Sequence, residues 1–302
     1  MFTVITNEPE NTIIAATING DGTLNIDRAV ATGGRSLHGG GIEASAKGKV
    51  LATVNPGSNT ISLFSIDPNM PTNISPLGDP VSSEGEFPMS LIFNTAGDLC
   101  VLNGVVISNT LRHLPLNQTT PPNGPPGTAS QIVFNHDESH LIVSDVTADG
   151  SLSADFKQVT PPSGGGLPFS LTPIPGKNAF VSTDPALGFS VLDLSGQNKS
   201  SAFAINGQGA TCWSSFSAKT GNFYLTDVGT STVTEVHVDD NLKASIFLYI
   251  MSANATSVDV LALPGAGKAR KISTLDISGP ARAAGVPIDR NSLQGMTHFI
   301  RQ

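Results

Sequence analysis

One short pattern recurs along this chain: an apolar strand ending in Asn or Asp, a polar turn, and then an alternating strand. Six clear copies end at Asn7, Asn55, Asn103, Asp145, Asp184 and Asp227, with 39 to 48 residues between successive copies. A seventh, weaker copy is read in Phe247-Leu-Tyr-Ile-Met-Ser-Ala253, where the polar residue is lost. That interval is the length of a four-stranded blade, a unit too small to bury its own apolar faces without a neighbour on each side.

Each copy is followed by the second strand of a hairpin, such as 59–66 or 231–238, with the alternation of a strand packed on one face. Upstream of most copies lies a further strand: 40–45, 88–93, 129–134, 168–172 and 211–216. These are expected to be the innermost strands. The reading is a single all-β domain over 1–302, a seven-bladed β-propeller. The first copy lacks an upstream strand, and Gln294-Gly-Met-Thr-His-Phe-Ile300 resembles the missing one. The N- and C-terminal strands are therefore expected to close one blade, which removes a free sheet edge. Between Val238 and Phe247 the chain is too short for both an outer strand of blade six and an inner strand of blade seven. The seventh blade is expected to be incomplete or assembled differently.

Composition agrees with many short strands. Glycine (31) and proline (21) are dispersed among 302 residues, and hydrophobic residues reach 39 % against 13 % charged. A net charge of −8 argues against a nucleic-acid surface, which needs clustered Lys and Arg. Lys268-Ala-Arg-Lys271 is too short to change that and reads as a solvated strand face. No run is long enough to span a membrane as a helix. The start, Met1 to Thr6, lacks the features of a signal peptide and begins inside a strand pattern, as a trimmed mature chain would. Sequons at Asn73, Asn117, Asn198 and Asn254 permit an extracellular location. Two cysteines, Cys100 and Cys212, make neither a disulfide framework nor a zinc set, and no metal site is expected.

The repeated Asn/Asp position has two readings, a ring of cation ligands or a set of turn-formers. Asn and Asp at hairpin ends bond nearby backbone N–H groups, and six such residues spread around a ring are too far apart to share one ion. The turn reading is the stronger.

Several segments together resemble the lactonase-type seven-bladed propellers of the 3-carboxymuconate cyclase-like, fungal secreted group. They are Thr6-Asn-Glu-Pro-Glu-Asn11, Asp21-Gly-Thr-Leu24, Asn55-Pro-Gly-Ser-Asn-Thr-Ile-Ser62, Cys212-Trp213, Val258-Asp-Val-Leu-Ala-Leu-Pro-Gly265 and Thr274-Leu-Asp-Ile277. The resemblance covers nearly the whole chain and departs at 239–247. It implies a lactone hydrolase or a muconate cyclase-type isomerase acting on a small lactone or unsaturated carboxylic acid, without a cofactor. The His, Glu and Arg set of the muconate cyclases has no match here, so no catalytic role is carried over. The alternative is a non-catalytic extracellular binding or surface protein retaining the fold.

A small-molecule ligand is expected at the axial mouth, where the innermost strands begin. The richest segment there is Gly33-Gly-Arg-Ser-Leu-His-Gly-Gly-Gly-Ile-Glu43, which offers a cation, an imidazole and a carboxylate on a glycine-rich backbone. Arg35 is suited to hold a substrate carboxylate, and His38 or Glu86 to move a proton. The same residues also read as an exposed loop. Gln131, Phe169, Trp213 and Gln294 occupy equivalent places in other blades and are candidate ligand contacts. Trp213 is either core packing or a stacking platform. His136 and His140 flank a turn and read as solvated, while His113 and His237 lie in alternating strands.

Overall fold

The computed structural model describes residues 2–5, 10–19, 24–35, 41–45, 47–106, 128–135, 137–138, 141–146, 160–250, 257–262, 267–268, 270–283, 285–286 and 293–297. The strands fall into seven antiparallel sheets in chain order. Sheet one holds β1 (Phe2–Ile5), β2 (Thr12–Ile18) and β3 (Leu24–Ala31). Sheet two holds β4 (Ile42–Ser45), β5 (Val50–Asn55), β6 (Thr60–Ile66), β7 (Ile74–Pro76) and β8 (Val81–Ser82), the last two both paired to β6. Sheet three pairs β9 (Gly85–Phe93) with β10 (Leu99–Val106), and sheet four pairs β11 (Thr128–Phe134) with β12 (Leu141–Val146).

Sheet five is β13 (Leu171–Pro173), β14 (Ala179–Asp184), β15 (Gly188–Asp193) and β16 (Ser201–Ala204). Sheet six is β17 (Thr211–Ser217), β18 (Asn222–Asp227), β19 (Thr232–Val238) and β20 (Ala244–Ile250). Sheet seven pairs β21 (Ser257–Ala262) with β22 (Arg270–Asp276). A short helix α1 (Ser278–Ala283) follows. Then β23 (Leu293–Thr297) pairs with β1, Phe2 opposite Thr297 and Ile5 opposite Leu293. The two ends of the chain thus share one sheet, as the repeat pattern implied.

The expected seventh copy is corrected. Phe247–Ile250 belongs to β20, the outer strand of sheet six, with Phe247 opposite Glu235. The rest of that copy, 251–253, lies outside the described residues. A tight turn makes this possible: Leu242 sits at φ 64, and Asp239 Oδ1 accepts the N–H groups of Asn241 and Lys243. The chain reverses at once, so β20 follows β19 directly and sheet seven is built from later residues.

Apolar residues are partitioned between neighbouring sheets. Ile13 and Ala15 of sheet one meet Leu51 and Phe64 of sheet two. Ala52 and Val54 meet Leu91, Leu102 meets Ile132, and Val133 meets Leu171 and Phe180. The largest cluster joins Phe189 and Val191 of sheet five to Phe223, Leu225 and Val236 of sheet six. Ile14 and Ile26 of sheet one also pack on Leu275, Ile277 and Ala281, which carries the sequence of contacts from sheet seven back to sheet one. Each large buried side chain contributes about 1.5–3 kcal/mol, so every seam is a small core of its own.

The seam between sheets six and seven carries a polar contact. Glu235 of β19 is fully buried; its Oε1 accepts Asn222 Nδ2 at 2.6 Å and the Tyr224 hydroxyl at 2.9 Å. Its Oε2 accepts the N–H of Gly267, in the turn joining β21 and β22, at 2.9 Å.

The repeated Asp acts as a latch. Asp227 Oδ2 accepts Gly209 N–H, while Oδ1 accepts those of Ala210, Gly229 and Thr230. One carboxylate therefore ties the segment entering β17 to the turn leaving β18. Asp184 repeats this on Gly166 and Leu167 on one side and on Ala186 and Leu187 on the other. At Asp227 desolvation pushes the carboxyl pKa up, but the four backbone donors outweigh it and hold the group below its ordinary value. The crossing is so close that a Cβ on Gly209 would lie 3.0 Å from the Gly229 Cα. Asp227→Ala is expected to cost about 1.5–3 kcal/mol, because the charge-assisted bonds that tie the two segments together are lost, although exposed Gly209 and Gly229 regain water as a partner. Urea denaturation at pH 7 checks this; the deficit should shrink as pH falls through the folded pKa, where the wild-type carboxylate is itself protonated.

Candidate functional site

The inner strands of sheets two to six lie next to one another, and in sheets three to six side chains of one bond the backbone of the next. Ser90 Oγ accepts Ile132 N–H at 3.3 Å, and Gln131 Oε1 accepts Leu171 N–H at 2.6 Å. Thr172 Oγ1 donates to Ser214 O at 3.1 Å, and Ser130 Oγ to Phe169 O. An inner strand has a partner on one edge only, so these hydroxyls and amides satisfy its other edge. The strand starts gather at one end of this array, beside the Asn/Asp turns.

Bulges shape that end. In β9 the partners jump from Ser90 to Pro88, in β11 from Gln131 to Ala129, and in β17 from Trp213 to Thr211. Met89, Ser130 and Cys212 are thus the extra residues, at the same place relative to the Asn/Asp position in each sheet. A bulge re-aims the side chains around it. At β17 it leaves Trp213 47 % exposed, which excludes the core-packing reading. Half-buried Phe169, just before β13, meets the indole edge to face, with ring centroids 5.2 Å apart and planes at 74°. Two candidate ligand contacts therefore come together, from different sheets.

Glu43 is the group that the sequence reading left inside a segment without singling it out. It stands in β4 opposite Ala52, and so on the face of sheet two that packs toward sheet three. Among the described residues its carboxyl makes no hydrogen bond or ion pair, and it is half-buried. Burial pushes its pKa up to about 7, far above an ordinary glutamate. The signal in sequence was a charged residue between Ile42 and Ala44, where the other inner strands carry Ile92, Val133, Thr172 or Ser215.

Of the remaining candidates, Arg35 is exposed, and its backbone is fixed to the turn after β5 by Gly57 N–H to Arg35 O at 2.8 Å and Arg35 N–H to Ser58 Oγ at 3.1 Å. His38 lies outside the described residues. Glu86 is half-buried in β9 opposite Val105, beside Phe87 at φ 55. Gln131 caps the edge of β13 as described, a structural task. Gln294 stands opposite Val4 in β23. His237 is exposed, and its Nδ1 bonds Asn222 Oδ1 at 2.8 Å; His113, His136 and His140 lie outside the described residues. Among the described residues no cluster of three His, Cys, Asp or Glu side chains is placed to hold a metal ion. No helix among them is long and apolar enough to cross a membrane.

A cavity of about 290 Å³ opens at the opposite end of the strands, between sheets five and six. It is lined by Lys177, Asp193, Lys199, Asp240 and Leu242, with Lys177 Nζ 2.9 Å from Asp240 Oδ1. It is remote from the strand starts that carry Glu43 and the aromatic pair.

No family model matches the chain, and no curated protein sequence does. Solved structures do. The periplasmic gluconolactonase of Pseudomonas aeruginosa superposes with a TM-score of 0.69 at 15 % identity, over 91 % of this chain and 95 % of that one. A protein described as a 6-phosphogluconolactonase from Bacteroides uniformis gives 0.57 at 11 % identity, over 83 % and 82 %. A chain of a nidogen–laminin complex gives 0.53 at 12 % identity, over 100 % and 99 %. The chain is nearly all-β and has the fold of the lactonase-type propellers. Since proteins of such different description share it, the fold alone leaves the activity open.

Proposed function

We propose that this chain is a lactonase-like enzyme: a closed propeller whose seven sheets are seven blades, β23 completing the first, acting on a small lactone at the end where the inner strands begin. The observation that carries the reading is Glu43, a half-buried carboxyl on an innermost strand of that end, without a partner among the described residues. Arg35 is attached to the same sheet, and Phe169 with Trp213 offers an apolar seat for a ring.

In the proposed reaction, the Glu43 carboxylate takes a proton from water as the water oxygen attacks the lactone carbonyl carbon. Arg35 balances the negative charge on the carbonyl oxygen or on a substrate carboxylate. The ring C–O ester bond then breaks, and Glu43 returns the proton to the departing alkoxide. A hydroxy acid leaves, and no cofactor is consumed. Closure of an unsaturated acid onto its own carboxylate, the cyclase form of the resemblance, is a different step: the carboxylate oxygen bonds one alkene carbon, the π bond breaks, and the neutral Glu43 carboxyl would deliver its proton to the other carbon. An extracellular or periplasmic setting suits the reading, as does a small-molecule partner rather than nucleic acid or membrane.

The test is a screen of aldonolactones, simple lactones and muconic acids between pH 6 and 9. Turnover is expected, with Arg35→Ala raising KM about tenfold, the effect of losing one charge-assisted contact. His38→Ala in the same screen decides whether that imidazole takes part. No turnover of any compound overturns the enzyme reading. The non-catalytic alternative rests on the hydroxyl- and amide-capped inner strands, and it is favoured if a ring compound quenches Trp213 without being converted.

A further inference from the structure

The sole tryptophan and its aromatic neighbour belong to different sheets, so something must fix the gap between them. The backbone beside each is held by one side chain. Thr183, at the end of β14, is fully buried. Its Oγ1 accepts Ser170 N–H at 3.0 Å and donates to Cys212 O at 2.6 Å. Ser170 follows Phe169, and Cys212 is the bulge residue preceding Trp213. The Thr183 backbone adds to this, its O accepting Phe169 N–H at 2.9 Å and its N–H donating to Ser170 O at 3.0 Å. A hydroxyl has one proton to give and two lone pairs, and here it spans the seam between sheets five and six.

We propose that Thr183 is the positioning residue of the Phe169–Trp213 pair, setting the angle and separation of the two rings and so the seat they present to a flat, ring-shaped ligand. The ligand half of this statement rests on the proposed function; the positioning half does not. The equivalent positions of other sheets make the case specific. Asn55, Asn103 and Asp227 are preceded by Val54, Leu102 and Thr226, of which only Thr226 carries a hydroxyl, and it reaches the carbonyl of Trp213 in its own sheet, at 3.5 Å. Thr183 bridges two sheets at the one place, among the described residues, where two rings meet across a seam.

Trp213 reports on its own setting, since it is the only indole in the chain. Emission and acrylamide quenching are measured without ligand for wild type, Thr183→Val, Thr183→Ser and Ser182→Ala. Ser182 is a buried neighbour whose hydroxyl makes one long bond, to the Thr183 carbonyl at 3.5 Å, and none to Ser170 or Cys212. Thr183→Val keeps the shape and removes the hydroxyl, so quenching is expected to rise about twofold as the indole loses its fixed partner. Thr183→Ser restores the hydroxyl and should match wild type, and Ser182→Ala should leave the emission unchanged. If Thr183→Val does not fold, Thr183→Ala takes its place at lower temperature. Wild-type emission and quenching in the hydroxyl-free variant overturn the proposal, as does an equal change in Ser182→Ala. Where the screen has supplied a substrate, KM should rise about fivefold with kcat within twofold, the pattern of lost positioning rather than lost chemistry. Altered emission with an unchanged KM upholds the positioning role and overturns the ligand seat.

Discussion

Glu43→Gln is expected to lower kcat for lactone hydrolysis by about 10²- to 10⁴-fold, the range for removing a general base, while raising thermal stability at pH 8. The two effects have one cause. A carboxyl held in a desolvated place without a partner is destabilising when ionised, and the same displacement of its pKa to about 7 makes it an effective base near neutrality. In the folded chain it keeps its proton between 4.5, its ordinary value, and about 7. Its contribution to stability is therefore greatest below pH 4.5 and declines as pH rises through 7. The Gln variant should melt a few degrees above wild type at pH 8, on the scale of about 2–4 °C per kcal/mol, and level with it at pH 4.

Wild-type kcat/KM should rise with pH and flatten above about 7, because the base must be ionised to act. The measurements are a pH–rate profile and a pair of melting curves. Activity within threefold of wild type, or a Gln variant less stable at pH 8, removes Glu43 from the chemistry. A residue with a purely structural role would lose stability on substitution, so the opposite signs are the useful part of the test.

The largest loss of stability is expected at Glu235→Ala. Asn222, Tyr224 and Gly267 all donate to that carboxylate, and the residue is fully buried. Truncation takes the acceptor from Asn222 and Gly267, leaves Tyr224 its bond to Thr220 Oγ1, and opens a void, a cost of about 3–5 kcal/mol. For a chain of this size the midpoint should fall by roughly 8–15 °C. Glu235→Gln should lose less, since one oxygen remains, although its new amide faces the Gly267 N–H as donor to donor. Hydrogen exchange gives the location: β21 and β22 should lose protection first, because the Gly267 bond is what seats their turn on sheet six. Uniform loss of protection over all seven sheets would mean that the seam is no weaker than the others.

The strand starts, the order of the inner strand and hairpin in sheets two, five and six, and the meeting of β1 with β23 were legible from the Asn/Asp repeat and its flanking turns. The seventh sheet was not. Phe247-Leu-Tyr-Ile is apolar enough to pass for another second strand, and only the turn at Leu242 shows that it completes sheet six instead. Among the candidate site residues, Arg35, Phe169, Trp213 and Gln131 are all named for their place just ahead of or at the head of inner strands; the structure brings Phe169 and Trp213 together and shows Gln131 Oε1 accepting the Leu171 N–H. Glu43 was in view but unranked, because nothing in a linear chain says whether a carboxyl has a partner.

By itself the sequence determined the blade unit, since a 39- to 48-residue period of short apolar strands has to stack against copies of itself to stay dry. It also determined the turn half of the latch at Asp184 and Asp227, a local bond between a carboxylate and the backbone two and three residues on. Tertiary structure decided what happens across the seams: the approach of Phe169 to Trp213, the hydroxyl of Thr183 between them, the burial of Glu235 and the isolation of Glu43. Each of these depends on residues some 30 or more positions apart, or on how much water a packed neighbour excludes. Hydrogen bonding within a turn is written in consecutive residues; desolvation is a property of the packed sheets.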